Sequence, residues 1–221
     1  MTKDRAMSWR PGQPDRRSTV RSMLRKRKAT QRDRFMKTSL VLDQDQSPMS
    51  ACYAVWHWLV THDRGFVGIA PKGLARMAGW ALGKPAPSIS ALVEMLREAG
   101  LLREVYWARR VVDLREAILQ GSGPVIVGSP WYLGMQTPDP HGFIAPTGKR
   151  VGSHAYLVVG YDLRREAFRI LNSWGPAWGQ LGRAWVRAAD LQTLLEHGEA
   201  CLPVMRASVE RALIAHLILK T

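Results

Sequence analysis

The stretch Asn172-Ser173-Trp174-Gly175-Pro176-Ala177-Trp178-Gly179-Gln180-Leu181-Gly182 is the most specific pattern in this chain of 221 residues. Its three glycines predict turns with positive φ or a close approach between strands. A histidine, His154, stands before it, and a cysteine, Cys52, lies much earlier in the chain. A thiol, an imidazole and an amide that orients the imidazole are the groups that covalent catalysis by cysteine requires. The sequence therefore predicts a nucleophilic cysteine site assembled from three separate segments.

The positive charge of the chain is concentrated near its N-terminus. The net charge is +14, and residues 1–37 hold 13 Lys/Arg against three Asp, a net of +10. The remaining residues carry 19 basic and 15 acidic groups, a net of only +4. We therefore predict a basic arm over 1–37 and a nearly balanced globular domain over 38–221. The arm is either a solvated, partly disordered tail, with a basic helix possible over 18–36, or a docking segment for nucleic acid or an acidic protein surface.

The number of cysteines and the hydropathy of the chain indicate the cellular compartment that we expect for this protein. Two cysteines in a chain of this length argue against a disulfide-stapled secreted scaffold. No apolar stretch has the length of a classical secretion signal, and none approaches the roughly 20 apolar residues of a membrane span. We expect a soluble protein, cytoplasmic or virion-associated, that has no membrane partner.

The first half of the domain is predicted to be mainly helical. A short strand over 39–42 leads into a loop, and a helix begins at Ala51 with an apolar stripe at helical spacing. A second helix has Ser88 as its N-cap and Gly100 as its stop. A third begins at Asp113, where Glu116 completes a capping-box pattern, and ends at Gly121.

The second half is predicted to be rich in strands. Strands are expected over 124–128, 155–161, 167–171 and 184–186, of which the second and third pair as a hairpin, and a helix is expected from Asp190 to about His197. This order predicts an α+β protein of two lobes. We place a helical lobe at about 48–120, a β lobe at about 121–205 and a C-terminal segment at 206–221.

Cys52 falls in the first turn of its predicted helix, off the apolar stripe. Unpaired backbone N–H groups and the positive end of the helix dipole stabilise a thiolate there. Taken alone, Cys52 is more typical of a small buried hydrophobe, which is the commoner fate of a free cysteine.

The surrounding motifs resemble those of papain-like cysteine peptidases. The segment from Gln46 to Ala54 is similar to the active-site stretch of that family, and 153–161 is similar to the strand that carries its catalytic histidine. The 172–182 stretch is similar to the family's asparagine loop at six fixed positions. The resemblance covers roughly 39–186 and implies a papain-like fold, with the active-site cleft between the two lobes.

The resemblance also implies a role for each matching residue. Cys52 is the expected nucleophile, His154 the general base and then acid, and Asn172 the group that orients the ring. Trp174 is expected to shield the His–Asn hydrogen bond, and Gln46, together with the backbone N–H of Cys52, to receive the oxyanion. Gln44 ranks second to Gln46, because it stands eight residues before the cysteine rather than six.

Two further residues are candidates for binding substrate or shielding the site. Trp131, in the segment 129–132, is expected to follow a strand and to shape a subsite, and Ser153 directly precedes the histidine. No metal or other cofactor is expected. His57 and His62 are five positions apart, which does not match a helical metal pair, and no acid or cysteine cluster accompanies them.

Departures from the family pattern leave the substrate open. Tyr53 replaces the usual tryptophan, Met49 occupies the place of a disulfide cysteine, and 84–88 replaces the paired glycines of the peptide channel. The residues before Cys52 are too few for a long inhibitory prosegment, which favours a compact bacterial or phage branch.

The sequence is interpreted as a cysteine peptidase that hydrolyses peptide or isopeptide bonds. Two alternatives stay open: an amidase that acts on cell-wall peptides, and a structural or interaction protein that retains the fold and is tethered through the basic arm. Oligomeric state is not predicted.

Overall fold

A computed structural model of the chain describes residues 19–24, 32–38, 40–62, 69–81 and 84–206. The described helices are α1 (Val20–Met23), α2 (Ser50–His62), α3 (Pro71–Met77), α4 (Ile89–Glu98), α5 (Val111–Gln120) and α6 (Ala188–Glu196). The described strands are β1 (Arg34–Phe35), β2 (Leu102–Ala108), β3 (Val125–Tyr132), β4 (Phe143–Ile144), β5 (Arg150–Asp162), β6 (Ala167–Leu171), β7 (Arg183–Arg187) and β8 (Glu199–Met205). The architecture is α+β, as predicted. No helix within these ranges is both long and apolar enough to cross a bilayer.

The strands form one sheet in the order β2-β8-β3-β5-β6-β7-β4, with β1 added against β5. All neighbouring strands are antiparallel except β4 and β7. β5 is the longest strand of the sheet and pairs with β3 along its first part, from Arg150 to Val158. Beyond that point β1 takes the place of β3, opposite Gly160 and Tyr161. The hairpin of β5 and β6 confirms the prediction for 155–171.

Alternate residues of β5 face two different hydrophobic cores, because side chains alternate between the faces of a strand. Ala155, Leu157 and Val159 belong to a helix-side cluster with α2 and α4. Tyr156 and Val158 belong to a sheet-side cluster with α5 and α6. The strand that carries His154 is therefore held from both sides by buried apolar surface.

For several helices, the structure confirms the predicted first residue, the predicted last residue or both, to within one residue. α2 begins one residue before the predicted Ala51. α4 has Ser88 as its N-cap, and the Ser88 hydroxyl accepts a hydrogen bond from the Ala91 N–H at 3.1 Å. Gly121 ends α5 in the left-handed conformation, as its position suggested.

The predicted start of α5 is wrong. The helix begins at Val111, and Asp113 lies inside its first turn, where its carboxylate accepts from Arg110 at 2.7 Å rather than capping the helix. The Val111 N–H donates instead to the side chain of Gln192 on α6, at 2.9 Å. A tertiary contact thus supplies the partner that a local capping box would have supplied.

The predicted strand over 39–42 is also absent from the described part of that segment, residues 40–42. The Leu42 N–H donates to the His57 ring, and the Leu42 carbonyl accepts from Gly175. The segment is therefore held by a side chain and by a loop, not by a strand neighbour.

Parts of the predicted basic arm pack against the domain. Val20 is fully buried in the sheet-side cluster, and Thr19 forms a bridge with Trp107 of β2. β1 extends the sheet at β5, and the N–H of Met36 donates to Val159 at 2.7 Å. Of the basic helix predicted over 18–36, the described residues contain only Val20–Met23. The rest of the arm, and the C-terminal segment after Arg206, lie outside the described residues.

Candidate active site

Cys52 lies in the first turn of α2 and is fully buried. Burial raises the pKa of its thiol to about 12, and a hydrogen bond from its own backbone opposes that rise only in part. The start of this helix is tied to β5, because the N–H of Ala155 donates to the Ser50 hydroxyl at 3.3 Å. This bond joins the turn that carries Cys52 to the residue that follows His154.

His154 and Asn172 form a buried hydrogen bond. Their contact joins His154 Nε2 to Asn172 Oδ1 at 2.7 Å, and both residues are fully buried. The N–H of Ser173 donates to the same Oδ1 at 2.8 Å, which identifies that atom as the amide carbonyl oxygen. Because a carbonyl oxygen only accepts, Nε2 carries the hydrogen, and Nδ1 is the basic nitrogen of the neutral ring.

Two indoles enclose the His154 ring. The ring centroids of Trp131 and Trp174 each lie 4.9 Å from that of His154, and the two indoles lie 5.3 Å apart. Trp131 is 0% exposed and Trp174 is 1% exposed. They keep water from the hydrogen bond to Asn172, where a low local dielectric strengthens it. The structure places Trp131 against the imidazole, and its role as a substrate-binding or site-shielding residue stays a prediction.

The two candidate glutamines are placed very differently. Gln46 is exposed, whereas Gln44 is 1% exposed. The Ser173 hydroxyl donates to Gln44 Oε1 at 2.5 Å, and Gln44 Nε2 donates to the Ser47 carbonyl at 2.8 Å. Its backbone N–H also donates to the Ser173 carbonyl at 2.8 Å. The structure therefore brings Gln44, rather than the preferred Gln46, beside the segment that carries Asn172.

The loop that carries Gln44 is anchored on both sides. Asp43 forms an antiparallel bridge with Trp174. On the other side, the N–H of Leu42 donates to Nε2 of His57, on α2, at 3.3 Å. His57 is 1% exposed, and burial, together with the positive charge of Arg183, lowers its pKa to about 3. It is therefore a neutral acceptor that ties this loop to the helix of Cys52.

Sequence reasoning considered His57 only as one half of a weak metal pair and missed this role. The side chain of its suggested partner, His62, lies outside the described residues. Among the residues that the structure describes, no group of three or more His, Cys, Asp and Glu could hold a metal ion.

Ser153 stands next to His154 on β5, and its described side-chain hydrogen bond is made with Arg150. Its hydroxyl accepts from the Arg150 guanidinium at 3.0 Å, and the residue is half-buried. Adjacent side chains of a strand point to opposite faces, so Ser153 and His154 diverge. A contact between Ser153 and a substrate stays a prediction.

The structure thus describes a buried thiol in the first turn of α2 and, on β5, an imidazole whose tautomer is fixed by an amide. A carboxamide side chain, that of Gln44, is held beside this amide. These are the parts that acyl transfer through a thioester needs: a nucleophile, a proton carrier and a polar group for the oxyanion.

Neither a protein-family model nor a curated protein sequence matches this chain. Solved structures do. Xylellain, a cysteine protease from Xylella fastidiosa, superposes with a TM-score of 0.73 at 16% sequence identity, and the match covers 93% of this chain and 98% of that one. Procathepsin L 3 from the Tenebrio molitor larval midgut has a TM-score of 0.64 at 18% identity, over 92% of this chain and 76% of that one.

A plant enzyme gives the same result. The bromelain protease from Ananas comosus, solved in complex with the E64 inhibitor, has a TM-score of 0.57 at 14% identity, over 76% of this chain and 94% of that one. Sequence identities this low support a conclusion about the fold and about nothing else. The two-core arrangement around β5 and the superposition on cysteine proteases from a bacterium, an insect and a plant show that this chain has a papain-like fold.

Proposed function

We propose that this chain is a cysteine peptidase that hydrolyses peptide or isopeptide bonds through Cys52, His154 and Asn172. The observation that carries the proposal is the buried 2.7 Å hydrogen bond between His154 and Asn172. The amide fixes the tautomer of the imidazole, and a nucleophilic cysteine needs a base whose tautomer is fixed. The papain-like fold supports the same reaction class.

The reaction begins with a proton transfer. The Cys52 thiol gives its proton to Nδ1 of His154, and the thiolate attacks the carbonyl carbon of the scissile bond. Because burial alone holds the pKa of Cys52 near 12, the thiolate forms only as a partner of the imidazolium, whose charge offsets the lost solvation. The imidazolium then protonates the leaving amine, and a thioester remains on Cys52.

Water completes the cycle. His154, neutral again, takes a proton from the attacking water, the thioester carbonyl becomes tetrahedral, and its collapse releases the acid and restores the thiol. We assign the oxyanion in both steps to the backbone N–H of Cys52 and the side-chain amide of Gln44. The bonds of Gln44 to Ser173 and Ser47 hold that amide in place before substrate arrives.

The first test is active-site labelling. Wild type is expected to react covalently with a peptidyl vinyl-sulfone probe and to release amine from members of a mixed peptide library. Cys52→Ala should lose both activities, whereas Cys201→Ala should keep both, since Cys201 is fully buried in β8. Equal labelling of wild type and Cys52→Ala would remove Cys52 as the nucleophile. A cell-wall peptide sample assayed in parallel separates proteolysis from wall amidase activity.

The second test isolates the role of His154. In His154→Ala the thiol loses its proton acceptor and keeps its raised pKa, so thiolate forms only at high pH. Alkylation by iodoacetamide at pH 7 should fall by at least about a hundredfold and should rise steadily up to pH 10. Identical pH profiles for wild type and His154→Ala would contradict the ion pair.

A further inference from the structure

An arginine-lined cavity of about 360 Å³ lies between β1 and the β6–β7 ladder, and Cys52, His154 and Asn172 are not among its lining residues. Its polar wall is formed by Arg165, Arg169, Arg183 and Gln180, and its aromatic wall by Trp185 and Phe35. Among the described residues, no carboxylate lines it. A volume of this size is at the lower end of the range for small-molecule sites.

Strand alternation explains why arginines converge here. On β6 and β7, Phe168, Ile170, Ala184 and Val186 face the sheet-side cluster. The intervening residues face the other way, and the pairing sets Arg169 opposite Trp185 and Leu171 opposite Arg183. Leu171 packs in the helix-side cluster with α2. The cavity therefore lies on the same face of the sheet that α2 covers. Next to Leu171 this face is apolar, and at Arg169 and Arg183 it is cationic.

The three guanidinium groups are poorly neutralised within the described part of the chain. Arg165 has one ion pair, with Asp162 at a long 3.6 Å. Arg169 donates to the uncharged Gln180 side chain at 2.8 Å, and Arg183 donates to the Leu181 carbonyl at 2.6 Å and to the Thr38 hydroxyl. Burial and the charges of Arg183 and Arg165 lower the pKa of Arg169 to about 10. This repulsion makes a bound anion favourable.

The indole ring of Trp185, in the aromatic wall of the cavity, is already in contact with two arginine side chains. The guanidinium carbons of Arg165 and Arg169 lie 5.1 Å and 4.7 Å from the centroid of Trp185. A nucleobase that entered would find this indole covered, so stacking does not favour nucleic acid here. What the cavity offers is the N–H edges of guanidinium groups, which match carboxylate and phosphate oxygens.

We propose that this cavity is a binding site for a small polyanion that carries phosphate or carboxylate groups. The proposal is independent of the peptidase reaction, because none of the cavity residues belongs to the triad. Inorganic pyrophosphate and citrate serve as probes of the two oxyanion types.

The experiment measures the dissociation constant of each probe by calorimetry on the full chain at constant ionic strength balanced with NaCl. Wild type should bind at least one probe saturably. Arg169→Gln should weaken that binding by about tenfold or more, the usual effect of losing one hydrogen bond to a charged group. Arg165→Gln, a change at a half-exposed turn residue, should weaken it as well and covers the case in which Arg169→Gln does not fold.

Arg103→Gln is the matched control, because Arg103 is exposed on β2 at the opposite edge of the sheet. It removes the same charge and should leave binding unchanged. Binding of pyrophosphate alone, or of citrate alone, supports the site and identifies the oxyanion. Binding of neither probe overturns the proposal, and so does equal weakening in Arg103→Gln, which would indicate general charge attraction.

Discussion

Gln44 and Gln46 differ by two positions in sequence and by their whole environment in the fold. A spacing of six residues to the cysteine favoured Gln46, yet that side chain is exposed, and the buried one is Gln44. A spacing rule assumes a loop of fixed length. Here the bridge from Asp43 to Trp174 and the bond from Ser173 to Gln44 set the register of the loop. Such partners are far apart in sequence, so spacing alone could not reveal them.

Truncating these two glutamines should therefore have unequal effects. Gln44→Ala is expected to lower kcat by about 10²–10³, the typical cost of losing one oxyanion donor. Gln46→Ala, at an exposed position two residues away, should change kcat by less than about threefold. Peptide hydrolysis under saturating substrate measures both, with circular dichroism to confirm folding. The reverse ranking would return the oxyanion role to Gln46.

The contact between His154 and Asn172 was predictable for a different reason. Each is defined by its own chemistry, and each stands in a local motif that is readable without knowing the loop lengths between motifs. The contact between Trp174 and His154 was predictable in the same way. The contact between Trp131 and His154 was not predictable, because Trp131 was expected to follow a strand, whereas it lies within β3, where pairing with β5 brings its ring within 4.9 Å of His154.

At the scale of elements, the described strands missed from sequence are the two-residue β1 and β4 and the longer β2 and β8. β2 and β8 pair with each other across most of their length. Neither shows a clear alternation, and Pro203 interrupts β8. The pairing of β8 with β3 ends at Cys201, so Pro203 has a strand neighbour on the β2 side only. A proline is tolerated where one side of a strand is open. Tertiary pairing decided these strands, and local propensity did not.

β1 is a short strand whose position depends on a glycine. A Cβ at Gly160 of β5 would collide with the Phe35 side chain and would lie 2.8 Å from the Arg34 carbonyl oxygen. Gly160→Ala should therefore lower the free energy of unfolding by about 1–3 kcal/mol. Urea denaturation measures the loss, which should shrink in a Phe35→Ala background. An alanine variant as stable as wild type would show that β1 does not pack closely against β5.

At the scale of the whole molecule, the chain keeps a papain-like fold at an identity of 16% to xylellain. Two hydrophobic clusters on opposite faces of β5 account for this tolerance. A core accepts many apolar substitutions as long as volume and alternation are kept. The motifs around Cys52, His154 and Asn172 tolerate fewer substitutions than the cores do. For that reason the fold was predicted from these motifs and not from the core residues.

One buried group links the whole fold to pH. His57 has a pKa of about 3 in the folded chain against 6.5 for the exposed ring. Its folded-state pKa is depressed, so its contribution to stability is full above pH 6.5 and is lost as pH falls from there towards 3. Between pH 7.5 and pH 5, wild type should lose about 2 kcal/mol of unfolding free energy more than His57→Gln does.

Urea midpoints across this pH range measure the difference, and His197→Gln, at an exposed position, is the control that should follow wild type. Parallel curves for wild type and His57→Gln would show that His57 is not held neutral by burial.

The two indoles around His154 give the active site an optical readout. A protonated imidazole in contact with an indole quenches its emission, whereas the neutral ring does so weakly. Fluorescence from Trp131 and Trp174 therefore reports the charge on His154. With the other tryptophans replaced by phenylalanine, a stopped-flow trace would test the proposed transfer of a proton from Cys52 to His154 in real time, with no label on enzyme or peptide.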